Sequence, residues 1–192
     1  MSKVISDMSM SLDGFVTGPN PTREHPFGGN HAEILHAWFF DRKTDEDIAI
    51  LDEAINGCGA VVMGRKSFDD VEGEGGWGDK GPLGDTPCFV VTHHPPTKPV
   101  APVFTFVTAG VASAIEQAKA VAGDKAVNLH GAKMPQQALA LGLLDEIQIH
   151  LVPVLLGDGI RMFDYLGGPV ALEGTRVVTT RGATHLRFRV VR

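Results

Sequence analysis

Two segments of this chain combine an apolar strand, a glycine and the start of a helix. The first is Val61-Val62-Met63-Gly64-Arg65-Lys66-Ser67, and the second is Leu129-His130-Gly131-Ala132-Lys133-Met134. Free N–H groups and the helix dipole attract anions at such a helix start, and Arg65 and Lys66 add positive charge. Each segment therefore predicts an anion-binding turn, although the basic pair also fits a solvated helix start.

The two turns are expected at the same edge of a parallel sheet, where open α/β proteins bind their ligands. They can then hold the two phosphates of one dinucleotide. A third strand end, Val91-Thr92-His93-His94, brings a hydroxyl and two imidazoles to that edge. Either histidine can contact a phosphate or ribose, and His94 also fits an exposed loop residue.

An acidic residue follows the first strand, in Ser9-Met10-Ser11-Leu12-Asp13-Gly14. A carboxylate beside a loop can bind substrate or relay a proton. Asp-Gly is also a very common turn dipeptide, so the motif by itself fits a simple turn equally well.

Two other motif matches lack the context that they need. Gly73–Gly78 fits G-x-G-x-x-G, but no strand precedes it and Gly81-Pro82 stops any helix after it. His31-Ala32-Glu33 and Pro87-Cys88 match parts of a zinc deaminase signature, but Val91 stands where its second cysteine is required. These matches indicate neither a Rossmann dinucleotide site nor a metal site.

Length and composition indicate one soluble domain over residues 1–192. The chain is 43% hydrophobic and 21% charged, and a chain of this length buries roughly 70% of its unfolded surface. Cys58 and Cys88 stand in apolar surroundings and are predicted to be buried free thiols.

The net charge of −6 argues against a nucleic-acid partner but permits an anionic small ligand. The N-terminus lacks the continuous apolar core of a signal peptide, and no apolar run approaches the roughly 20 residues of a membrane span. A cytoplasmic location without a membrane partner is therefore expected.

Hydrophobic periodicity predicts a mainly parallel α/β sheet that is covered on both faces and has an antiparallel C-terminal pair. Predicted strands occupy residues 2–12, 60–63, 88–92, 103–107, 126–129 and 145–156, with two more in 170–192. Predicted helices occupy residues 31–41, 44–57, 65–69, 111–122 and 135–141.

Three finer predictions accompany this pattern. Thr44 is expected to cap the second helix with Asp47 at the third helical position. The spacing of Ile48, Leu51 and Ile55 predicts the buried face of that helix. The early part of residues 145–156 alternates in polarity, and residues 17–30 form a long loop of the kind that is often functional.

These motifs resemble the dihydrofolate reductase-like superfamily, and most closely its branch with the C-terminal reductase domain of the bifunctional riboflavin-biosynthesis deaminase-reductase. The resemblance covers essentially the whole chain. Its most specific part is the pattern G-L-x-D-E…P-x-L-L-G-x-G. The segments that carry it are Ser9–Gly14, Val62–Phe68, Val90–Thr92, Gly131-Ala132, Gly142–Glu146 and Val152–Gly159.

The resemblance implies a three-layer αβα fold, NADPH as cofactor, a small-molecule substrate and a homodimer. It implies that the loop Phe15 to Gly18 covers the nicotinamide and that Asp13 faces the substrate. The cofactor-binding residues that it implies are Val16, Thr17, Gly18, Met63, Gly64, Arg65, Lys66, Ser67, Thr92, His93, His130, Gly131, Ala132, Lys133 and Met134.

The chain departs from the family pattern at His130, where a glycine is usual. The imidazole either crowds the pyrophosphate or reaches a phosphate. Glu33 and Asp41 are only loose matches to a folate-binding acid, which disfavours true dihydrofolate reduction. Arg42, Lys43 and Arg161 are candidate cations for a substrate phosphate.

The leading hypothesis is therefore a reductase of a small heterocyclic or carbonyl substrate, with an aminouracil ribosyl phosphate suggested by analogy. The alternatives are a catalytically silent nucleotide- or pterin-binding module and a true dihydrofolate reductase. A weaker alternative is a structural dimer that uses Trp38-Phe39-Phe40 and the tail strands as its interface.

Overall fold

The computed structural model of the chain describes residues 2–41, 43–71, 80–98, 100–164 and 166–192. The Gly73–Gly78 motif and Arg42 lie outside these described residues.

Among the described residues, eight strands form one sheet in the order β5-β4-β3-β6-β1-β7-β10-β9. The six strands from β5 to β7 are parallel, whereas β10 runs antiparallel to β7 and β9 antiparallel to β10. The predicted sheet with its antiparallel C-terminal pair is confirmed. The strands are β1 Val4–Ser11, β3 Cys58–Gly64, β4 Cys88–Val91, β5 Phe104–Val107, β6 Ala126–His130, β7 Glu146–Val152, β9 Leu172–Thr179 and β10 Thr184–Val190.

A separate two-stranded sheet pairs β2, Phe15–Thr17, with β8, Ile160–Arg161. The sequence pattern did not predict it, because strands of three and two residues carry no measurable periodicity. It joins the loop after Asp13 to the segment that follows β7.

Helices cover both faces of the large sheet. Alternate residues of β3 point to opposite faces, so Val62 packs with α4 and α5 while Val61 and Met63 pack with α3. A 3₁₀ helix at Ala32–His36 precedes the α-helices. These are α1 Ala37–Phe40, α2 Asp45–Gly57, α3 Arg65–Val71, α4 Gly110–Ala122 and α5 Lys133–Ala140.

Helix α2 begins as predicted but buries a different face. The backbone N–H of Thr44 donates to the Asp47 carboxylate at 2.7 Å, and the N–H of Asp47 donates to the Thr44 hydroxyl at 3.3 Å. Ile48 and Ile55 are 42% and 50% exposed, whereas Asp47 and Ile50 are buried. Leu51 packs against the cluster of Leu35 and Trp38 as predicted, but the predicted burial of Ile48 and Ile55 is wrong, because the helix turns Asp47 and Ile50 inward instead.

Strand β7 also differs from its prediction. It ends at Val152 rather than at Leu156, and Ile147, Gln148, Ile149 and His150 are all buried. The residues of β7 alternate in polarity, but their burial does not alternate, because β7 lies between β1 and β10 with packed layers on both faces.

The predicted burial of Cys58 and Cys88 as free thiols is confirmed. No helix within the described ranges has the length and apolar character needed to cross a bilayer.

Candidate functional site

Gly64 and Gly131 leave the sheet side by side. Met63 pairs with His130 in the parallel β3–β6 ladder, so the next residue of each strand is a glycine. Gly131 has a φ of +81°, and a Cβ built there would lie 2.9 Å from Ser67 Oγ. A Cβ at Gly64 would lie 3.5 Å from Cε of Met134. Each glycine therefore faces a side chain of the other turn, and the predicted adjacency of the two turns is confirmed.

Arg65 and Lys66 place positive charge beside these turns. The Arg65 guanidinium donates to the carbonyl oxygen of His94 and forms an ion pair with Asp69 at 2.7 Å. Lys66 pairs with Asp70 at 2.8 Å and donates to the carbonyl oxygen of Pro21 at 3.1 Å. The two acids offset part of the local positive charge, and Arg65 joins the end of β3 to the turn after β4.

Thr92 organises that turn after β4. Its side chain is buried, and its hydroxyl accepts from the backbone N–H of His94 at 3.1 Å. His93 and His94 are exposed. The end of β4 thus lies at the same sheet edge as Gly64, since β4 is the parallel neighbour of β3.

The loop after Asp13 packs against the second glycine turn. Val16 is buried in one cluster with Ala132 and Met162. The Thr17 hydroxyl donates to the carbonyl oxygen of Phe27 at 2.6 Å, and the N–H of Gly18 donates to the same oxygen at 2.9 Å. These contacts hold the β2 segment next to Ala132, where the resemblance places the nicotinamide-covering loop.

The carboxylate of Asp13 fixes the segment after β7 to the end of β1. It accepts from the Ser11 hydroxyl at 2.6 Å and from the backbone N–H groups of Leu156 at 3.1 Å and Gly157 at 2.8 Å. These hydrogen bonds, the Ser11 contact first, lower the pKa of Asp13 to about 2. Asp13 is therefore ionised at neutral pH, where it can accept hydrogen bonds but holds no proton to donate.

Arg161 lies beside Asp13. Its Nη1 donates to the Asp13 carbonyl oxygen at 2.9 Å, and its guanidinium stands 4.4 Å from the centre of the Phe15 ring. The other described candidates for substrate contacts, Lys43, Glu33 and Asp41, are exposed. Of these candidates, Arg161 is thus the one that the fold holds against Asp13.

The remaining predicted cofactor residues differ in what they expose. The Met63 side chain is fully buried in an apolar cluster, so its backbone alone is available at the sheet edge, and Met134 is buried beneath Gly64. Lys133 is exposed. His130 is half-buried, and burial lowers its pKa, which favours a neutral imidazole at this turn.

His36 is a polar residue of this region that the sequence analysis missed. Its ring stacks on Phe27 at 4.4 Å, and its Nδ1 is buried without a hydrogen-bond partner among the described residues. Burial, followed by the neighbouring His130 and His150, lowers its pKa to about 4. No sequence spacing indicates this contact, since it depends on how the long loop folds back.

A mainly parallel sheet between helical layers, with an antiparallel C-terminal hairpin and two glycine turns at neighbouring strand ends, defines a dihydrofolate reductase-like α/β protein. The comparison with family models narrows this class. The chain belongs to the RibD C-terminal domain family, whose model matches residues 2–186.

Solved structures share this fold at low sequence identity. A Shewanella sp. PV-4 protein ascribed to riboflavin biosynthesis superposes with a TM-score of 0.71 at 20% identity, and the match covers 100% of both chains. The Thermotoga maritima diaminohydroxyphosphoribosylaminopyrimidine deaminase/5-amino-6-(5-phosphoribosylamino)uracil reductase matches with a TM-score of 0.65 at 14% identity, over 99% of this chain and 57% of that chain.

A pyrimidine reductase-like protein of Corynebacterium diphtheriae matches with a TM-score of 0.61 at 12% identity, over 100% of this chain and 92% of that chain. No curated protein matches this chain at a significant level.

Proposed function

We propose that this chain is an NADPH-dependent reductase of a small heterocyclic or carbonyl substrate, similar to 5-amino-6-(5-phosphoribosylamino)uracil reductase. The observation that carries the proposal is the pair of facing glycines, Gly64 and Gly131, at neighbouring strand ends. Membership of the RibD C-terminal domain family supports it.

The residues present fit a dinucleotide. A side chain at position 131 would fill the space beside Ser67, so glycine keeps backbone open to a pyrophosphate there. Arg65 and Lys66 supply charge for a 2′-phosphate. When bound, the cofactor supplies the hydride, and the protein supplies binding and orientation.

The chain's own residues also shape the substrate side. The β2 segment that contains Val16 excludes water from the region beside Ala132. Arg161 offers a cation for an anionic substrate group next to Asp13. The ionised Asp13 holds the segment after β7 in place and can accept a hydrogen bond from substrate.

The proposal is tested by titrating the full chain with NADPH and with NADH and following cofactor fluorescence. We expect NADPH to bind at least tenfold more tightly, because a 2′-phosphate adds charge-assisted hydrogen bonds worth about 1.5–3 kcal/mol. Comparable Kd values for the two cofactors would contradict the assignment of Arg65 and Lys66.

Turnover is then measured as NADPH oxidation with an aminouracil ribosyl phosphate, with dihydrofolate and with simple carbonyl compounds. Oxidation with the first and not with dihydrofolate supports the proposed reductase. Tight NADPH binding without oxidation of any substrate favours the silent binding module, for which His130 at the pyrophosphate turn is the structural reason.

A further inference from the structure

Four polar side chains, Asp7, His150, His185 and Asp47, form a hydrogen-bonded network across the sheet. His150 Nε2 lies 2.7 Å from the Asp7 carboxylate, and His150 Nδ1 lies 2.7 Å from His185 Nδ1. His185 Nε2 lies 2.8 Å from the Asp47 carboxylate. The side chains of His150, His185 and Asp47 are at most 6% exposed, and that of Asp7 is 12% exposed. The network joins β1, β7 and β10 to helix α2.

The number of protons that the three contacts require sets the charge of this network. Each of the three contacts is at hydrogen-bond distance and needs one proton between its two heavy atoms. Two neutral imidazoles carry one N–H each, and two ionised carboxylates carry none. Because two protons cannot satisfy three contacts, this network of four side chains holds a third proton in the folded protein.

The carboxylates are poor places for the third proton. Asp7 also accepts from the amide of Gln148 at 3.2 Å, and Asp47 also accepts from the backbone N–H of Thr44 at 2.7 Å. These donors favour ionised carboxylates. Although burial opposes ionisation, the hydrogen bonds to Asp47 lower its pKa.

The two imidazoles are not equivalent. Burial lowers the pKa of His185, which makes it the neutral partner that accepts at Nδ1 and donates from Nε2 to Asp47. The Trp38 ring lies 4.4 Å from the ring of His150, and the indole N–H donates to Ser9 Oγ at 2.9 Å, which fixes its orientation. A cation beside an indole face is stabilised electrostatically.

We propose that His150 is a buried imidazolium in the folded protein at neutral pH, and that its extra proton clamps helices α1 and α2 onto the sheet. The proton holds the His150–His185 contact, and His185 in turn holds Asp47 at the start of α2. Trp38 of α1 packs against both rings. The proposal concerns the protein alone and does not depend on its cofactor or substrate.

The charges around the pair are compatible with one imidazolium. Arg187 donates to Gln148 and pairs with Glu53 at 2.8 Å, and Glu53 also pairs with Arg176. The carboxylates of Asp7, Asp47 and Glu53 together outnumber these two guanidinium groups, so the surroundings can accommodate one further positive charge. His36 is neutral because its pKa is about 4. The groups that face the pair are Asp7 and Ser9 from β1, Gln148 from β7, Arg187 from β10, Trp38 from α1, Asp47 from α2 and His36 from the 3₁₀ helix.

Nitrogen NMR of the ¹⁵N-labelled full chain at pH 7.5 tests the proposal directly. Chemical shifts of imidazole nitrogens distinguish a neutral ring from one protonated at both positions. We expect one histidine with both nitrogens protonated and coupled to a ring protonated at Nε2 only, and we expect the first signal to vanish in His150→Gln. Two neutral rings at these positions would overturn the proposal.

The pH dependence of folding gives a second measurement. Above pH 6.5, about the ordinary histidine pKa, the unfolded protein has lost the proton that the proposed imidazolium keeps in the folded protein, so folding takes up one proton. The folding equilibrium constant therefore falls by up to tenfold for each pH unit above about 6.5. Denaturant unfolding from pH 6.5 to 9 should show this loss in the unmodified chain and a flatter profile in His150→Gln.

The exposed His25 supplies the matched control, because no described residue forms a hydrogen bond with its imidazole. His25→Gln should keep the profile of the unmodified chain. Equal slopes in the unmodified chain and in His150→Gln would overturn the proposal. If His150→Gln does not fold, the NMR spectrum of the unmodified chain decides the question alone.

Discussion

The Cβ position of Gly131 points at the Ser67 hydroxyl, and an atom placed there would lie 2.9 Å from Ser67 Oγ. A residue that follows β6 thus has its conformation restricted by a side chain of the helix that follows β3. Because β3 and β6 are adjacent parallel strands, this contact couples the two turns into one edge.

Gly131→Ala is therefore expected to weaken NADPH binding at least tenfold, because either Ser67 or the turn must move. The positive φ of +81° adds about 1–2 kcal/mol of backbone strain. Gly142→Ala is the matched control, since Gly142 also has a positive φ, +66°, but nothing within 4 Å of its Cβ position. Equal loss of affinity in the two variants would mean that strain alone acts. Affinity is measured by cofactor fluorescence and stability by denaturant unfolding.

Arg65→Gln is expected to reduce NADPH affinity about tenfold and to leave NADH affinity nearly unchanged, because it removes a charge suited to the 2′-phosphate. Lys119→Gln provides the control cation substitution, because Lys119 has no ion pair with any described residue. It lies in the last turn of α4, which contacts Gly59 near the start of β3, whereas Gly64 ends that strand. A parallel loss of affinity for both cofactors in Arg65→Gln would indicate structural damage instead of lost phosphate recognition.

Asp13 is expected to stabilise the folded protein at neutral pH and to lose this contribution on acidification. Its folded pKa of about 2 lies below the ordinary value of 3.8, so its contribution is present above pH 4 and is lost as pH falls from 4 to 2. Asp13→Asn should flatten the stability profile in that window, with Asp124→Asn as an exposed control.

The same low pKa predicts that Asp13 gives no titration step in kcat/KM between pH 5 and 8. Asp13→Asn should lower turnover without removing an ionisation from that range. An acidic limb near pH 5 that disappears in Asp13→Asn would show that Asp13 titrates during the reaction and would contradict this prediction.

Cys88 is expected to resist thiol reagents in the folded protein. Burial is the main cause that raises its pKa to about 12, and burial also raises the pKa of Cys58. Because the thiolate is the reactive form, labelling at pH 8 should require unfolding. Labelling of the native chain at the rate of the chain in denaturant would contradict this.

Local chemistry made several elements predictable from the sequence. The apolar run Ala60–Met63 lies within β3, and Thr44 with Asp47 forms the expected capping box. Glycines after two apolar runs indicated two neighbouring turns, which the β3–β6 register confirms. These features are encoded within a few residues, so short spacing carries the information.

Other features required the assembled fold. Ile48 and Ile55 follow a helical spacing and are nevertheless exposed, because Asp47 meets His185 of β10 across the layers. His150 and His185 meet because β10 pairs with β7 in antiparallel register. No spacing within either strand indicates that contact.

The sequence by itself therefore determined where the strands of the large sheet lie, the capped start of α2 and the glycine turns, since each depends on neighbouring residues, but it did not determine β2, β8 or the end of β7. The tertiary structure decided that Asp13 anchors Leu156 and Gly157. It also decided that Ser67 faces Gly131, and that a buried hydrogen-bonded network joins Asp7 to Asp47. Contacts between residues far apart in the chain depend on strand order and register, which local propensities do not specify.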